Sequence, residues 1–360
     1  MARAARLDLR GRPVNPLVSV VIPCLNEASF IGRCLDSVLV SEYPANLLEV
    51  IVADGMSRDG TRECVAAYTA RDSRVRLIDN PAGVTPVALN RAIGVARGGV
   101  IVRLDARAEI APEYIARAVE SLDSGEADCV GGAMRTLTEG SGKFAEAIRI
   151  ALTHPFGVGN SHFRTGSCSD QPRWVDAVYG ACWHREVFDR LGWFNERLER
   201  SQDIEFSTRL RRAGGKILVS PEMQINYYVH GSLRDFWRRN WSNGVWAVLP
   251  LACSSGIVVR WRHLAPLGLV IALTGAVAIS VWLNSGWPAV AVAGPYVAAD
   301  LAASAHAALR ESKVGAALLM PVVFASLHLA YGFGSLWGCV RLAVWHSQDR
   351  RRQSRESLRE

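Results

Sequence analysis

Short apolar runs alternate with segments of helical spacing along the front of the chain. The runs "LVSVVIPCL", "LEVIVADG", "VRLIDN" and "GVIVRLD" are rich in β-branched residues and short enough to be buried strands. Between them, "ASFIGRCLDSVLV", "TRECVAAYTA" and "PVALNRAIGVARG" carry apolar residues at helical spacing, with Ile31, Leu35, Val38 and Leu39 on one face of the first. Strands that alternate with helices predict an α/β domain with a mostly parallel sheet and right-handed crossovers.

Charged residues almost disappear from the last part of the chain. The stretches 264–283, 287–309 and 314–340 contain no Lys, Arg or Glu and a single Asp, Asp300. Each is long enough to cross about 30 Å of hydrocarbon as a helix, so we predict a transmembrane region at 264–340 rather than core helices of a soluble domain. The predicted segments are a basic extension (1–16), a sheet domain (17–239), an interfacial segment (240–263), the transmembrane region and a basic tail (341–360).

The formal net charge of +7 lies partly beside these spans, which predicts contact with anionic lipid headgroups and not with nucleic acid. The first apolar run lacks the cleavage site of a signal peptide, so we expect the sheet domain in the cytoplasm and the chain in the cytoplasmic membrane. Three crossings would place the Arg-rich tail outside, against the positive-inside tendency. The number of crossings therefore stays open. An even number would keep the tail inside, either because 287–309 does not cross fully or because 240–259 adds a crossing.

Several classes of protein are disfavoured by missing motifs. No Gly-x-Gly-x-x-Gly follows a strand and no Walker sequence occurs, which argues against a nicotinamide dehydrogenase and a P-loop enzyme. The eight cysteines stand singly, without zinc-site spacing. In contrast, Asp54 and Asp105 each end a predicted strand, and ligands of such sheets bind beyond the carboxyl ends of the strands. The sequence predicts a site at that edge.

Four segments in order carry a resemblance to a known family. They are "VSVVIPCLNEASFIGRCLDSVL", "EVIVADGMSRDGT", "LNRAIGVARGGVIVRLDA" and "VYGACWHREVFDRLGWFNERLERSQDIEFSTRLRRAGGKI". Together they resemble family 2 glycosyltransferases of GT-A fold, and among these the succinoglycan-type, ExoA-like membrane enzymes of bacterial polysaccharide assembly. The resemblance covers about residues 17–245, with a similar membrane region behind.

The resemblance implies a nucleotide-sugar donor, a UDP-hexose, whose uracil and ribose would be lined by Pro23, Glu27 and Asp54, with Asn90 in the donor-side helix. Asp105 matches the first Asp of the family's Asp-x-Asp and would hold Mg²⁺ or Mn²⁺ against the leaving diphosphate. Arg107 stands where the second Asp is expected. Because a guanidinium grips phosphate but cannot ligate a cation, we expect Arg107 either to reach the diphosphate or to point to solvent.

On the acceptor side, the resemblance makes Asp203 the general base of an inverting transfer. Gln202 replaces the Glu of the family's Glu-Asp pair and removes a neighbouring charge, and helical geometry turns Glu205 away, as a solvated residue. Gly180 would permit close backbone approach, and Trp183 would either stack on a sugar or pack in the core.

"WRRNW" at 237–241 preserves only Trp241 of the element found in processive relatives, so we expect addition of one residue rather than polymer synthesis. Arg238 and Arg239 would contact a diphosphate or lipid headgroups. "GFGSLWG" at 332–338 predicts helix packing through small residues.

Three functions remain at this point. The first is transfer of a hexose to a hydroxyl of a lipid-linked oligosaccharide in bacterial polysaccharide biosynthesis. The second is transfer to a polyprenyl phosphate, which needs no strong base. The third is a catalytically silent membrane scaffold.

Overall fold

The computed structural model describes residues 15–139, 142–159, 171–229, 231–253, 261–311 and 314–356. The chain forms two compact units: a sheet unit of Met1–Arg135 and His162–Tyr228, and a helical unit of Thr136–Ser161 and Val229–Glu360. The boundary predicted at 239/240 differs from these units, because Thr136–Ser161 and residues 229–239 belong to the helical unit. Most of the predicted basic extension, 1–16, lies outside the described residues.

The strands of the described residues are β1 (Val18–Cys24), β2 (Leu48–Asp54), β3 (Val75–Asp79), β4 (Val100–Arg103), β5 (Ala108–Ile110), β6 (Cys129–Thr138), β7 (Arg173–Trp174), β8 (Tyr179–His184) and β9 (Ile217–Val229). They form one sheet in the order β3-β2-β1-β4-β8-β6-β9-β5, with β7 beside β9. The pairs among β1 to β4 are parallel, whereas β8 pairs antiparallel with β4 and β6, and β9 with β5 and β7. The parallel part of the sheet is therefore confined to four strands.

The helices of the described residues are α1 (Ala28–Leu39), α2 (Thr61–Arg71), α3 (Thr85–Val95), α4 (Tyr114–Asp123), α5 (Lys143–Thr153), α6 (Pro155–Val158), α7 (Glu186–Leu191), α8 (Gln202–Arg212), α9 (Leu233–Val248), α10 (Pro250–Cys253), α11 (Trp261–Trp282), α12 (Trp287–Glu311), α13 (Val314–Ala317) and α14 (Met320–Glu356). The predicted alternation from β1 through α3 to β4 is confirmed.

The core of the sheet unit lies on both faces of the sheet. Successive side chains of a strand point to opposite faces. Accordingly, Val20 of β1 belongs to one buried cluster with Ile31 and Leu35 of α1, and Val21 belongs to a second cluster with Leu89 of α3. Because helices cover both faces, the ends of the strands are where polar side chains can meet a ligand.

Three helices of the described residues are long and apolar enough to cross a membrane: His263–Trp282, Trp287–Glu311 and Met320–Val344. The third begins at Met320, not at the predicted residue 314, because a turn separates α13 from α14 and Pro321 occupies the first turn, where its missing N–H is not needed. α14 continues to Glu356, so the predicted tail, 341–360, is helical where it is described.

Glycines bring α14 close to its neighbours within the helical unit. A Cβ on Gly334 would lie 2.1 Å from the carbonyl oxygen of Trp241 in α9, and one on Gly332 would lie 2.3 Å from that of Pro266 in α11. From the α9 side, a Cβ on Gly244 would lie 2.0 Å from the carbonyl oxygen of Tyr331. The packing predicted for "GFGSLWG" is therefore observed, as backbone-to-backbone contact.

Candidate active site

The carboxyl ends of the parallel strands place two predicted aspartates at one edge of the sheet. Asp54 is the last residue of β2, and Asp105 follows β4 by two residues. β1 lies between β2 and β4. The loops after β1, β2 and β4 therefore surround a common edge, as expected for a doubly wound sheet.

Asp54 is fully enclosed and both of its oxygens are engaged. Oδ1 accepts a 2.5 Å hydrogen bond from the Ser57 hydroxyl, and Oδ2 accepts bonds from the Ser57 N–H and from Arg62 Nη1, each at 2.9 Å. Arg62 Nη2 also bonds to Asp79 at 2.7 Å. This geometry favours an indirect role for Asp54, in which it shapes the loop after β2, over the predicted contact with uracil or ribose.

The loop after β1 is fastened to the loop after β2. The Glu27 N–H donates to Thr61 Oγ1 at 2.8 Å, and the Ala28 N–H donates to Asp59 Oδ2 at 3.1 Å. Burial alone would raise the pKa of Asp59, but hydrogen bonds from Thr61 and Ala28 lower it below its ordinary value. Leu25, the first residue after β1, is exposed. The fastened loops thus present an exposed apolar side chain directly after the carboxyl end of β1.

Of the two predicted orientations of Arg107, the one toward solvent is wrong, and contact with a diphosphate stays a prediction. Its side chain is 9% exposed, so it does not point to solvent, and its Nε donates to Glu27 Oε2 at 2.6 Å. The guanidinium also lies 5.2 Å from the ring centre of Phe30. Among the described residues, Nη1 is buried without a hydrogen-bond partner. Glu27, predicted to line the nucleotide, is therefore the ion-pair partner of the residue that replaces the second Asp.

Asp105 and Asp203 meet at one guanidinium. Arg103 Nη2 lies 3.3 Å from Asp105 Oδ1, and Arg103 Nη1 lies 3.9 Å from Asp203 Oδ2. Burial alone would lower the pKa of Arg103, but the charges of these two aspartates raise it, so the guanidinium stays charged. The structure therefore brings together the predicted donor-side and base carboxylates, which are far apart in sequence.

Tyr179, at the start of β8, completes the surroundings of Asp105. Its hydroxyl donates to Asp105 Oδ2 at 3.1 Å. Burial, and then the charge of Asp105, raise the pKa of Tyr179 well above its usual value, so the phenol remains a hydrogen-bond donor. The side chain of Asp105 is still 31% exposed, which leaves it accessible to a ligand.

Asp203 lies in the first turn of α8, after Ser201, whose φ of +64° starts the helix abruptly. Its Oδ1 accepts the Ile204 N–H at 2.9 Å. The preceding Gln202 is buried, and its Oε1 has no partner among the described residues. Glu205 is not solvated as predicted, because it is buried and paired with Arg209 Nε at 2.9 Å.

The predicted acceptor-side residues have different surroundings. Gly180 has φ +60°, and a Cβ there would lie 2.2 Å from Ile225 Cδ1, so only glycine fits. Trp183 is buried among three phenylalanine rings, with the nearest ring centres 5.4 Å apart. These contacts replace the predicted stacking on a sugar with core packing, the alternative derived from the sequence.

Asn90 fastens a loop rather than facing open space. Its Nδ2 donates to the Phe194 carbonyl oxygen and to Glu196 Oε1, each at 2.9 Å, and its Oδ1 accepts the Phe194 N–H at 3.0 Å. The side chain is thus fully used in holding the loop before α8, and its predicted role on the donor side is at most indirect.

Arg238 and Arg239 lie on α9 of the helical unit. Arg238 is strongly exposed and pairs with Asp235 at 3.1 Å. Such exposure suits the predicted contact with headgroups or a diphosphate.

The described residues contain no group of three or more His, Cys, Asp or Glu side chains able to hold a metal ion. Asp105 nevertheless fits Mg²⁺ or Mn²⁺ held by one protein carboxylate, with the remaining ligands from diphosphate oxygens and water, an arrangement that Mg²⁺ commonly adopts. The partial exposure of its side chain supports this fit.

Three residues of the site were missed by reasoning from the sequence. Arg103 ends the apolar run of β4, where a lone charge is a usable signal of a polar strand end. Tyr179 is the first residue of β8, and Arg62 lies in the first turn of α2. Neither position carries a sequence signal that would mark it as part of the site.

A family model described as glycosyl transferase family 2 matches residues 19–192. The succinoglycan biosynthesis protein ExoA of Rhizobium meliloti (strain 1021) is 30% identical over 290 residues, which cover 74% of this chain and 86% of ExoA. The dolichyl N-acetyl-alpha-D-glucosaminyl phosphate 3-beta-D-2,3-diacetamido-2,3-dideoxy-beta-D-glucuronosyltransferase of Methanococcus voltae is 23% identical over 236 residues, which cover 63% of this chain and 71% of that protein.

Among solved structures, the mannosyltransferase PcManGT from Pyrobaculum calidifontis, in complex with GDP-Man and Mn²⁺, matches with a TM-score of 0.57 and 24% identity over 94% of this chain and 91% of that one. This likeness shows the same fold, which agrees with the predicted GT-A architecture. With its family model, its relatives and its strand-end site in agreement, the chain belongs to glycosyltransferase family 2 and is a glycosyltransferase.

Proposed function

We propose that this glycosyltransferase moves a hexose from a UDP-sugar to a hydroxyl of a lipid-linked oligosaccharide, with inversion, in bacterial polysaccharide biosynthesis. The observation that carries the proposal is the approach of Asp105 and Asp203 to one guanidinium, Arg103, at the carboxyl edge of the sheet. An inverting transfer needs this pairing of a diphosphate-side carboxylate with a base on the acceptor side.

The names of two relatives support the class of acceptor. ExoA is a succinoglycan biosynthesis protein, and the Methanococcus protein acts on a dolichyl-phosphate-linked sugar. The three candidate membrane spans agree with an acceptor that is held in a bilayer. We place the chain in the cytoplasmic membrane as a multi-pass protein, with the sheet unit on the cytoplasmic side.

In this mechanism the acceptor hydroxyl gives its proton to Asp203 while its oxygen attacks the anomeric carbon, opposite the departing nucleoside diphosphate. A divalent cation bound at Asp105 would supply charge that stabilises the diphosphate. Arg103 adds a fixed positive charge beside both carboxylates. Leu25, exposed beside Gly55, would lie against the nucleobase, while Pro23 and the loop shaped by Asp54 bound that pocket.

The test replaces Asp203 by Asn in the full chain, reconstituted in lipid nanodiscs with a lipid-linked acceptor and a panel of UDP-, GDP- and dTDP-sugars. Removal of a general base should lower kcat by about 10²–10⁴-fold, with little change in the KM of the donor. Asp189→Asn, at an exposed position of α7, is the matched control and should retain kcat.

Other outcomes separate the remaining functions. Nearly full transfer by Asp203→Asn would exclude the hydroxyl acceptor and favour a polyprenyl phosphate, whose oxygen needs no base. Hydrolysis of a nucleotide sugar by the parent protein, lost in Asp105→Ala, would eliminate the scaffold function, and absence of any turnover would support it.

A further inference from the structure

Arg103 has an unusual place for a charged side chain. It is the last residue of β4, whose preceding residues Val100, Ile101 and Val102 are buried, and β4 lies between β1 and β8 inside the sheet. Its side chain is only 13% exposed. A guanidinium is rarely buried at such a position unless it is paired, and here the pairing is with two carboxylates.

The two carboxylates come from different parts of the fold. Asp105 follows β4 directly, whereas Asp203 is in the first turn of α8. Two negative charges at one edge repel each other, and the single positive charge between them offsets that repulsion. The planar fork of arginine is suited to this task, because its two Nη atoms point to different partners.

The two contacts differ in kind. At 3.3 Å, Arg103 Nη2 hydrogen-bonds to Asp105 Oδ1, but the 3.9 Å between Nη1 and Asp203 Oδ2 is too long for a hydrogen bond. The other oxygen of Asp203 already accepts the Ile204 N–H. Arg103 therefore directs Oδ2 by charge while leaving that oxygen able to accept a proton.

Arg103 also contacts the carboxylate of Asp105 that a divalent cation would bind. Oδ2 of Asp105 accepts the Tyr179 hydroxyl at 3.1 Å and Oδ1 accepts Arg103, so a cation approaching this carboxylate meets a fixed positive charge beside it. Like charges at one ligand weaken the binding of the second. The same residue should therefore assist Asp203 and oppose the cation.

We propose that Arg103 is a positioning residue that holds the Asp203 carboxylate in line for proton acceptance and competes with a divalent cation for Asp105. The first half rests on the proposed function, since it takes Asp203 as the base. The second half requires only that Asp105 binds a cation, and it can be measured without sugar transfer.

The experiment compares Arg103→Gln and Arg103→Lys with the parent full chain in nanodiscs, and measures kcat, donor KM and Mn²⁺ binding in the presence of UDP. Mn²⁺ binding is followed by the loss of the free-ion electron paramagnetic resonance signal. We expect Arg103→Gln to lower kcat by about 10²-fold, as for a misplaced catalytic group, with donor KM nearly unchanged. Its Mn²⁺ dissociation constant should fall by about threefold or more, because a like charge has been removed.

Arg103→Lys separates charge from geometry. The ammonium keeps the charge but has no fork, so kcat should fall while the Mn²⁺ dissociation constant stays near that of the parent. When Asp203 is already Asn, adding Arg103→Gln should lower kcat by less than about threefold, because Arg103 acts through Asp203. Arg190→Gln is the matched control, since Arg190 pairs with the single carboxylate of Asp128 and should change none of these values.

Several results would overturn the proposal. One is a kcat of Arg103→Gln within about threefold of that of the parent. A second is a loss of kcat/KM that comes entirely from a raised donor KM. Another is an unchanged or weaker Mn²⁺ affinity in Arg103→Gln. If the parent transfers no sugar, the proposed function fails and the Mn²⁺ measurement alone decides the competition at Asp105. Melting temperatures are recorded for every variant, and Arg103→Met replaces Arg103→Gln if that variant does not fold.

Discussion

Restoring the family's second aspartate, by Arg107→Asp, should damage this protein rather than create a metal site. The change removes the guanidinium that bonds to Glu27 at 2.6 Å and places a second carboxylate beside it. Both side chains are largely buried, 9% and 18% exposed, so solvent screens the unpaired Glu27 poorly. Breaking a buried ion pair from one side costs about 3–5 kcal/mol, and we take about 3 because Glu27 keeps some exposure.

A loss of about 3 kcal/mol corresponds to a fall in melting temperature of about 6–12 °C for a unit of 150–250 residues. The assay is the thermal unfolding of the full chain in detergent, followed by tryptophan fluorescence, with and without Mn²⁺ and UDP. Arg190→Asp breaks an exposed pair and should cost under about 1 kcal/mol. Removing both charges, in Glu27→Gln with Arg107→Met, should cost less than Arg107→Asp.

The reasoning is refuted if Arg107→Asp melts as the parent does. It is also refuted if Mn²⁺ raises the melting temperature of the variant more than that of the parent, because binding to a folded site stabilises it by mass action. Either result would mean that the Glu27 pair is dispensable and that a second metal ligand had been gained.

Three further predictions concern stability. Gly244→Val should lower the melting temperature through overpacking of about 1–3 kcal/mol or more against the Tyr331 carbonyl, whereas Gly268→Val, with nothing within 4 Å of its Cβ, should be tolerated in the same measurement. Glu49 is buried; burial would raise its pKa, but hydrogen bonds from Ser19 and Arg97 lower it below the ordinary 4.5. The ionised Glu49 side chain therefore stabilises the fold above its unfolded-state pKa, and this stabilisation is lost as the pH falls through its folded-state pKa. In denaturant titrations, the free energy of unfolding of Glu49→Gln should therefore fall less steeply than that of the parent below about pH 4.5. Equal slopes for parent and variant would contradict this. Asn90→Ala should cost about 1–3 kcal/mol by leaving buried groups of the loop near Phe194 unpaired, and equal urea midpoints for parent and variant would disprove it.

The local pattern of apolar and polar residues predicts the front half of the sheet well, because each strand and helix there can be recognised from its own few residues. The β-branched run of β1 and the spacing of Ile31 and Leu35 in α1 need no information from elsewhere in the chain. The antiparallel half is different. β8 joins β4 and β6 through pairing between distant segments, and nothing in "YGACWH" indicates which strands will flank it.

The site shows the same division. Asp105 is predicted from its place after a strand, but the state of Arg107 depends on Glu27, a residue 80 positions away. Likewise, Arg103 becomes interpretable only when α8 brings Asp203 beside it. A sequence indicates which residue types are available at a strand end, whereas their partners depend on the tertiary fold.

The route of the chain between its two units limits how the protein can be divided for study. α5 belongs to the helical unit although it lies between two strands of the sheet in the sequence. Its buried apolar residues include Ile148 and Ile150, and α5 contacts α13 and α14 in that unit. Truncation before Trp261 would therefore not release a finished soluble enzyme. It would uncover an internal helix and expose an apolar surface that favours aggregation. A soluble catalytic fragment therefore requires redesign of α5 as well as removal of the candidate membrane spans.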